Sequence, residues 1–152
     1  MKIIAAILLG GLTAGALDIT YAITVYAMRS IPATTILQSV ASGLLGREAY
    51  SGGVPVAALG LGLHMLMATL MAASFVILVK IIPTLLRFPV AAGLIYGLIL
   101  FAIMNYIVVP VSAAYPGKFP QGWYLAGAIF AHTILVGLPI ALIARQFLSG
   151  EK

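Results

Sequence analysis

The chain contains no cysteine and only three acidic residues in 152. Without cysteine there is no disulfide, no thiolate metal site and no thiol redox chemistry. Charge of either sign is scarce: 7% of residues, where a soluble domain carries about 25%. Eight basic and three acidic side chains cannot cover a folded surface in water when 63% of the residues are hydrophobic. The mean hydropathy of +1.19 says the same. The partner of most of this surface is therefore a lipid bilayer, and the chain is an integral membrane protein. The net charge of +5 is spread along the chain with no Lys/Arg cluster, which excludes a nucleic-acid-binding domain. Two histidines and three acidic residues leave little material for catalysis. No phosphate-cradling glycine loop, nucleophile elbow, HExxH or Walker sequence is present. Nothing in the sequence implies a cofactor, and whether the chain is an enzyme stays open, with a small membrane hydrolase or oxidoreductase the less favoured reading.

What is present is apolar sequence in four long runs. The first, about residues 3–28, opens like a secretory signal, with an A-x-A pattern at Ala14-Gly15-Ala16. The apolar run continues past it through Ile19, Ile23 and Val25, so it reads as a retained transmembrane helix. Runs at about 54–79, 90–112 and 123–144 follow, punctuated by Lys80 and Pro83, by Pro89 and by Arg145. Each is long enough for a hydrocarbon core of roughly 30 Å, and backbone groups in lipid must be satisfied within the segment, so the spans are helices. The expected fold is all-α: one domain over 1–152, an antiparallel bundle of four transmembrane helices. An even number of spans puts both termini on one side. That side holds Lys2, Lys80, Arg87, Arg145 and Lys152, against Arg29, Arg47 and Lys118 on the other. The basic excess places both termini in the cytoplasm. Tyr115, Phe119, Trp123 and Tyr124 read as an interfacial aromatic belt on the outer side.

The loop between the first two spans is the longest. Within it Ile36, Leu37, Val40, Ala41, Leu44 and Leu45 recur at helical spacing, with Thr34, Thr35, Gln38, Ser39 and Ser42 mostly between them. This predicts a short amphipathic helix over about 34–45, too short to span. It either ties span 1 to span 2 or forms a lid, and its apolar stripe is expected to pack on the mouth of the bundle or lie in the interface.

Four polar residues interrupt the spans: Asp18, His64, Asn105 and His132. Counted from the outer end of its own span, each lies about seven to ten residues deep, roughly 11–15 Å at 1.5 Å per residue. Helices running in opposite directions thus bring their only strongly polar side chains to one depth. Gly11, Ala14, Gly15, Asp18 and Ala22 share one face of span 1; Ala57, Gly60, His64 and Ala68 share one face of span 2. Small residues let membrane helices approach closely, so Asp18 and His64 face a packed neighbour. An ionised Asp at the centre of a span costs about 2.5–3.5 kcal/mol on insertion scales. Protonation, a histidine partner or an aqueous cavity relieves that cost. The four residues are therefore the candidate ligand or proton site, with fixing of helix register as the competing role. Gly60-x-x-x-His64 against Ala128-x-x-x-His132 also gives a faint internal likeness between spans 1–2 and spans 3–4.

Metal chemistry has two weaker readings. Asp18, His64, Asn105 and His132 offer N and O ligands for a divalent ion, with no spacing motif. His64, Met67 and Met71 form an i, i+3, i+7 stripe whose imidazole and thioethers suit Cu(I), although methionine is a common packing residue in apolar helices.

The runs Gly11-Leu-Thr-Ala-Gly-Ala-Leu-Asp18, Gln38-Ser-Val-Ala-Ser-Gly-Leu-Leu-Gly46, Leu61-Gly-Leu-His64 and Met104-Asn105-Tyr together resemble the YagU-like group of small four-span bacterial inner-membrane proteins. That resemblance implies a bacterial inner membrane and a four-helix fold, and carries over no reaction, cofactor or binding residue. The residues themselves point to passage, binding or sensing of a small solute, ion or proton at the Asp18 layer. The alternative is a structural or accessory subunit of a membrane assembly. Four helices enclose little room, so a transporter of this size implies a homo-oligomer or a membrane partner protein.

Overall fold

The computed structural model describes residues 1–114 and 119–150. Tyr115, Lys118 and Lys152, used above in the aromatic and charge readings, lie outside the described residues. Among the described residues there is no strand. Four helices are long and apolar enough to cross a membrane: α1 (Lys2–Ala27), α3 (Gly53–Ile81), α4 (Pro89–Val111) and α5 (Trp123–Leu148). A shorter helix, α2 (Ala33–Leu45), precedes α3. No more than a third of the most apolar stretch of any span is buried inside the protein, which leaves the rest for lipid. The chain is a multi-pass membrane protein. The observed ends lie close to the expected ones, except that α5 runs past Arg145 to Leu148.

Sequence sets the joints. At the end of α1, Ser30 takes a left-handed conformation (φ 58°), and the Ile31 N–H reaches back to the Tyr26 carbonyl at 3.2 Å. This is the bonding of a Schellman cap. Pro32 then stands immediately before α2. Gln38 Nε2 donates to the Gly53 carbonyl at 3.0 Å, and the Ala113 N–H donates to the Gly43 carbonyl at 2.9 Å. These bonds tie α2 to the start of α3 and the end of α4.

α1 packs against α3 and α5, and α5 packs against α4. Glycines set the first and last of these approaches. A Cβ at Gly11 would stand 2.5 Å from Thr69 Cα. One at Gly97 would overlap the His132 carbonyl. One at Gly60 would overlap the Leu37 carbonyl, so that glycine seats the backbone of α2 on α3.

α2 buries small and polar residues and leaves the end of its apolar stripe exposed. Its buried residues are Gln38, Ala41 and Ser42, while Leu44 and Leu45 are 64% and 43% exposed. The reason is the solvent. Close approach to α3 requires small side chains, and a face turned towards lipid gains nothing from polarity. Only Ile36 and Val40 of the apolar stripe turn towards a cleft described below.

The packed core occupies the half of the spans nearer the termini, where Ala72, Phe75, Val76, Tyr96, Ile140 and Ala144 are buried together. Tyr96 is the polar tie in this half. Its hydroxyl donates to the Met71 carbonyl at 2.7 Å, lies 2.6 Å from Ser74 Oγ, and its ring sits 5.0 Å from that of Phe75. Tyr96→Phe is expected to keep the fold and lower its stability by about 1 kcal/mol, since it leaves the aromatic packing and removes the hydroxyl. Unfolding of the detergent-solubilised protein by heat measures this.

Candidate functional site

The other half of the spans, beside α2, is not filled. A cleft of about 670 Å³ extends from the ends of α1 and α5 down to Asp18, Asn105 and His132. Tyr21, Tyr26 and Tyr124 contribute to its walls, and Arg29 and Trp123 lie at the ends of the flanking spans. Arg29 lies in the turn just past the end of α1, 11 positions after Asp18. A second cleft of about 390 Å³ lies between α1, α2 and α3, lined by Asp18, His64, Tyr26, Ile36, Val40 and Tyr50 among others. Asp18 borders both.

Asp18 and His64 are close: His64 Nε2 lies 3.7 Å from Asp18 Oδ2, with the side chains 16% and 22% exposed for His64 and Asp18. That distance is an ion pair when the imidazole is protonated, but it is too long for a hydrogen bond. The short contact of Nε2 is the Gly15 carbonyl, at 3.0 Å. A carbonyl only accepts, so Nε2 carries the proton and donates, leaving Nδ1 of the neutral ring as an acceptor. The fit depends on Gly15, where a Cβ would press on Met65 Sδ at 2.9 Å and Ala68 Cβ at 3.1 Å.

Asn105 and His132 line the same cleft as Asp18 but hydrogen-bond their own helices. Asn105 Nδ2 donates to the Phe101 carbonyl at 2.8 Å, and His132 Nδ1 lies 2.9 Å from the Ala128 carbonyl. By the argument used for His64, His132 Nδ1 donates and Nε2 is left as an acceptor. Both residues sit in π-helical segments, Met104–Val108 and Ala131–Gly137. There the backbone ladder shifts from i−4 to i−5, and the Phe101 and Ala128 carbonyls each take a side-chain donor beside a backbone N–H, from Met104 and Ala131. Prolines supply the cause. Pro110 and Pro139 follow the two segments closely, each lacking an N–H and crowding the carbonyl four residues back. Asp18 and His64 lie in unbroken α-helix, so the faint likeness between the two halves does not extend to this feature. Phe101 packs edge-on against His132 with centroids 5.6 Å apart, fixing the ring at the cleft wall.

The four residues read from the sequence thus divide. Asp18 meets His64 on one side, and shares the larger cleft with Asn105 and His132 on the other. Among the described residues no group of three or more His, Cys, Asp or Glu stands close enough to hold a metal ion. Met71 packs against the core, and its carbonyl takes the Tyr96 hydroxyl. Sequence reading missed the aromatic wall. Its signal was present as a continuation of the Asp18 face, with Tyr21, Ala22, Val25, Tyr26 and Arg29 at i+3, i+4, i+7, i+8 and i+11. At the top of this stripe the Tyr26 and Tyr124 rings stack at 6.1 Å, and the Arg29 guanidinium stands 5.1 Å from the Tyr124 ring centroid.

Fold and site define a multi-pass membrane protein with a largely apolar, aromatic-walled cleft that reaches Asp18. No protein-family model matches the chain, and no curated protein or solved structure is significantly similar to it.

Proposed function

We propose that the protein binds a small solute or ion in the Asp18 cleft, as a carrier or sensor in a bacterial inner membrane. The supporting observation is a single one: the only acidic side chain of the spans borders a cleft of molecular size instead of lying in a packed interface. Intramembrane ionisable residues at a cavity mark solute or proton pathways by default. In this reading the fold is an antiparallel four-helix bundle with both termini cytoplasmic and α2 as an amphipathic cover at the outer end. The YagU-like resemblance of the glycine motifs fits the same setting. The packed core around Phe75 and Ile140 closes the cytoplasmic half, so passage through the membrane requires the glycine-lined contacts to part or a second copy to complete the path. The accessory-subunit reading draws on one observation, the hydrogen bonds that Asn105 and His132 make to their own helices.

The test is a thermal-shift survey of the detergent-purified chain against inorganic ions and small polar solutes at millimolar concentration. A ligand that binds only the folded state raises the unfolding temperature by mass action. At least one solute class should stabilise the wild type and fail to stabilise Asp18→Asn. Shifts that persist unchanged in Asp18→Asn, or no shift from any class, would favour the accessory-subunit reading.

A further inference from the structure

We propose that the occupant of the cleft is a small organic cation carrying N–H donors, seated with its charge against the Asp18 carboxylate. This rests on the reading of the cleft as a solute site and adds the chemical class.

Volume comes first. At about 670 Å³ the cleft falls in the range of roughly 300–1,000 Å³ that holds small molecules. A proton or a bare metal ion needs no such space. Hydrogen-bonding balance comes second. Among the described residues no N–H or O–H group donates to the Asp18 carboxylate; its one ionisable neighbour within 4 Å is His64, beyond hydrogen-bond length. The donors nearby are committed elsewhere. His64 Nε2 gives its proton to Gly15, Asn105 Nδ2 donates to Phe101, and His132 Nδ1 donates to Ala128, all backbone carbonyls. What remains at the floor of the larger cleft is a set of acceptors: both Asp18 oxygens, Asn105 Oδ1 and His132 Nε2. Acceptors around one carboxylate at the floor are matched by a donor-rich ligand group there, while the donors of the cleft, among them the Arg29 guanidinium and the tyrosine hydroxyls, stand on its walls. Its one negative charge asks for a positive one. An anion seated at the floor would face the Asp18 carboxylate and the acceptors beside it, at the cost that attends unmatched polar groups.

The walls agree. Tyr21, Tyr26, Trp123 and Tyr124 are aromatic, and the faces of aromatic rings attract a nearby organic cation. One ring already does so within the protein, since Tyr124 carries the Arg29 guanidinium. The Arg29 guanidinium stands against the Tyr124 ring beyond the end of α1, and Asp18 lies 11 positions earlier in the chain, at the floor.

Four isosteric or size-graded probes test this on the full chain in nanodiscs at pH 7: methylammonium, phenethylammonium, 2-phenylethanol and phenylacetate, with magnesium and zinc chloride as inorganic cations. Binding is read by calorimetry. At least one ammonium probe should bind saturably, with phenethylammonium at least tenfold tighter than the alcohol and phenylacetate weaker still. Asp18→Asn should remove the preference for the ammonium. The comparison among probes on the wild-type chain stands even if the variant folds poorly. Equal or tighter binding of the alcohol or of phenylacetate, binding of the metal ions alone, or no binding of either ammonium overturns the proposal. If the neutral or anionic probe binds and Asp18→Asn abolishes it, the cleft remains a solute site and only the cation assignment falls. Binding indifferent to Asp18 overturns both.

Discussion

Gly97→Leu is expected to drive α4 and α5 apart, with a large fall in unfolding temperature. The added Cβ would overlap the His132 carbonyl oxygen and lie 2.6 Å from Thr133 Cα. Both are backbone atoms, so no side-chain rotation relieves the clash. One turn away, a Cβ at Gly93 would stand 2.8 Å from the Gly137 carbonyl oxygen and from Leu138 Cα, so the two helices have no slack to share. Overpacking a well-filled interface costs about 1–3 kcal/mol, and a clash between backbones belongs at the upper end or above. Because the contact falls at His132, the wall of the larger cleft should move with it. Gly62→Leu is the control: a Cβ there meets nothing within 4 Å and should leave stability unchanged. Thermal unfolding in one detergent compares the two. Equal unfolding temperatures for Gly97→Leu and the wild type would refute the close approach of α4 to α5.

Asp18→Leu should separate function from stability in the opposite sense. Were Asp18 a register-setting hydrogen bond, removing it would damage the fold. Its carboxylate accepts no hydrogen bond from the described residues, and its neighbour His64 is held by the Gly15 carbonyl instead. An ionised Asp in a span costs about 2.5–3.5 kcal/mol on insertion scales, and leucine removes that cost. Asp18→Leu is therefore expected to unfold at a temperature equal to or above that of the wild type, while losing all solute-dependent stabilisation. Asp18→Asn should keep the shape and lose the same response. A residue retained at a cost to stability is what a functional site predicts. A strongly destabilised Asp18→Leu beside a silent Asp18→Asn would return Asp18 to a structural role.

The spans were legible because lipid imposes a simple rule. Continuous apolar runs bounded by Lys80, Pro83 and Pro89 left little freedom in where α3 and α4 end and begin. The small-residue faces at Gly11, Gly15 and Gly60 were legible for the same reason, since close helix contact tolerates little else. Depth counting placed Asp18 and His64 together, because unbroken α-helix rises uniformly and His64 Nε2 ends 3.7 Å from Asp18 Oδ2. It was less complete for Asn105 and His132, which reach the shared cleft but bond their own backbones. Pro110 and Pro139 shift the ladder there, and a count at 1.5 Å per residue is blind to that shift. The face of α2 that packs on α3 was not legible, because periodicity gives an apolar stripe without saying whether it meets protein or lipid. The clefts themselves were not legible, because empty space depends on how Tyr21, Tyr26 and Tyr124 fill the gap that small residues leave.

The central claim is that a water-accessible cleft descends to Asp18 from the α2 end. Because the native chain has no cysteine, single cysteines report without background. The direct measurement is the rate at which a charged, membrane-impermeant maleimide modifies five single-cysteine variants of the reconstituted protein. Ala22→Cys and Ala128→Cys line the cleft and should react readily. Ala14→Cys and Ala72→Cys, buried in the helix packing, and Leu8→Cys, on the outer surface of α1, should stay unmodified. Modification at Ala22 and Ala128 as slow as at Ala14 and Ala72 would contradict the cleft, and with it the site.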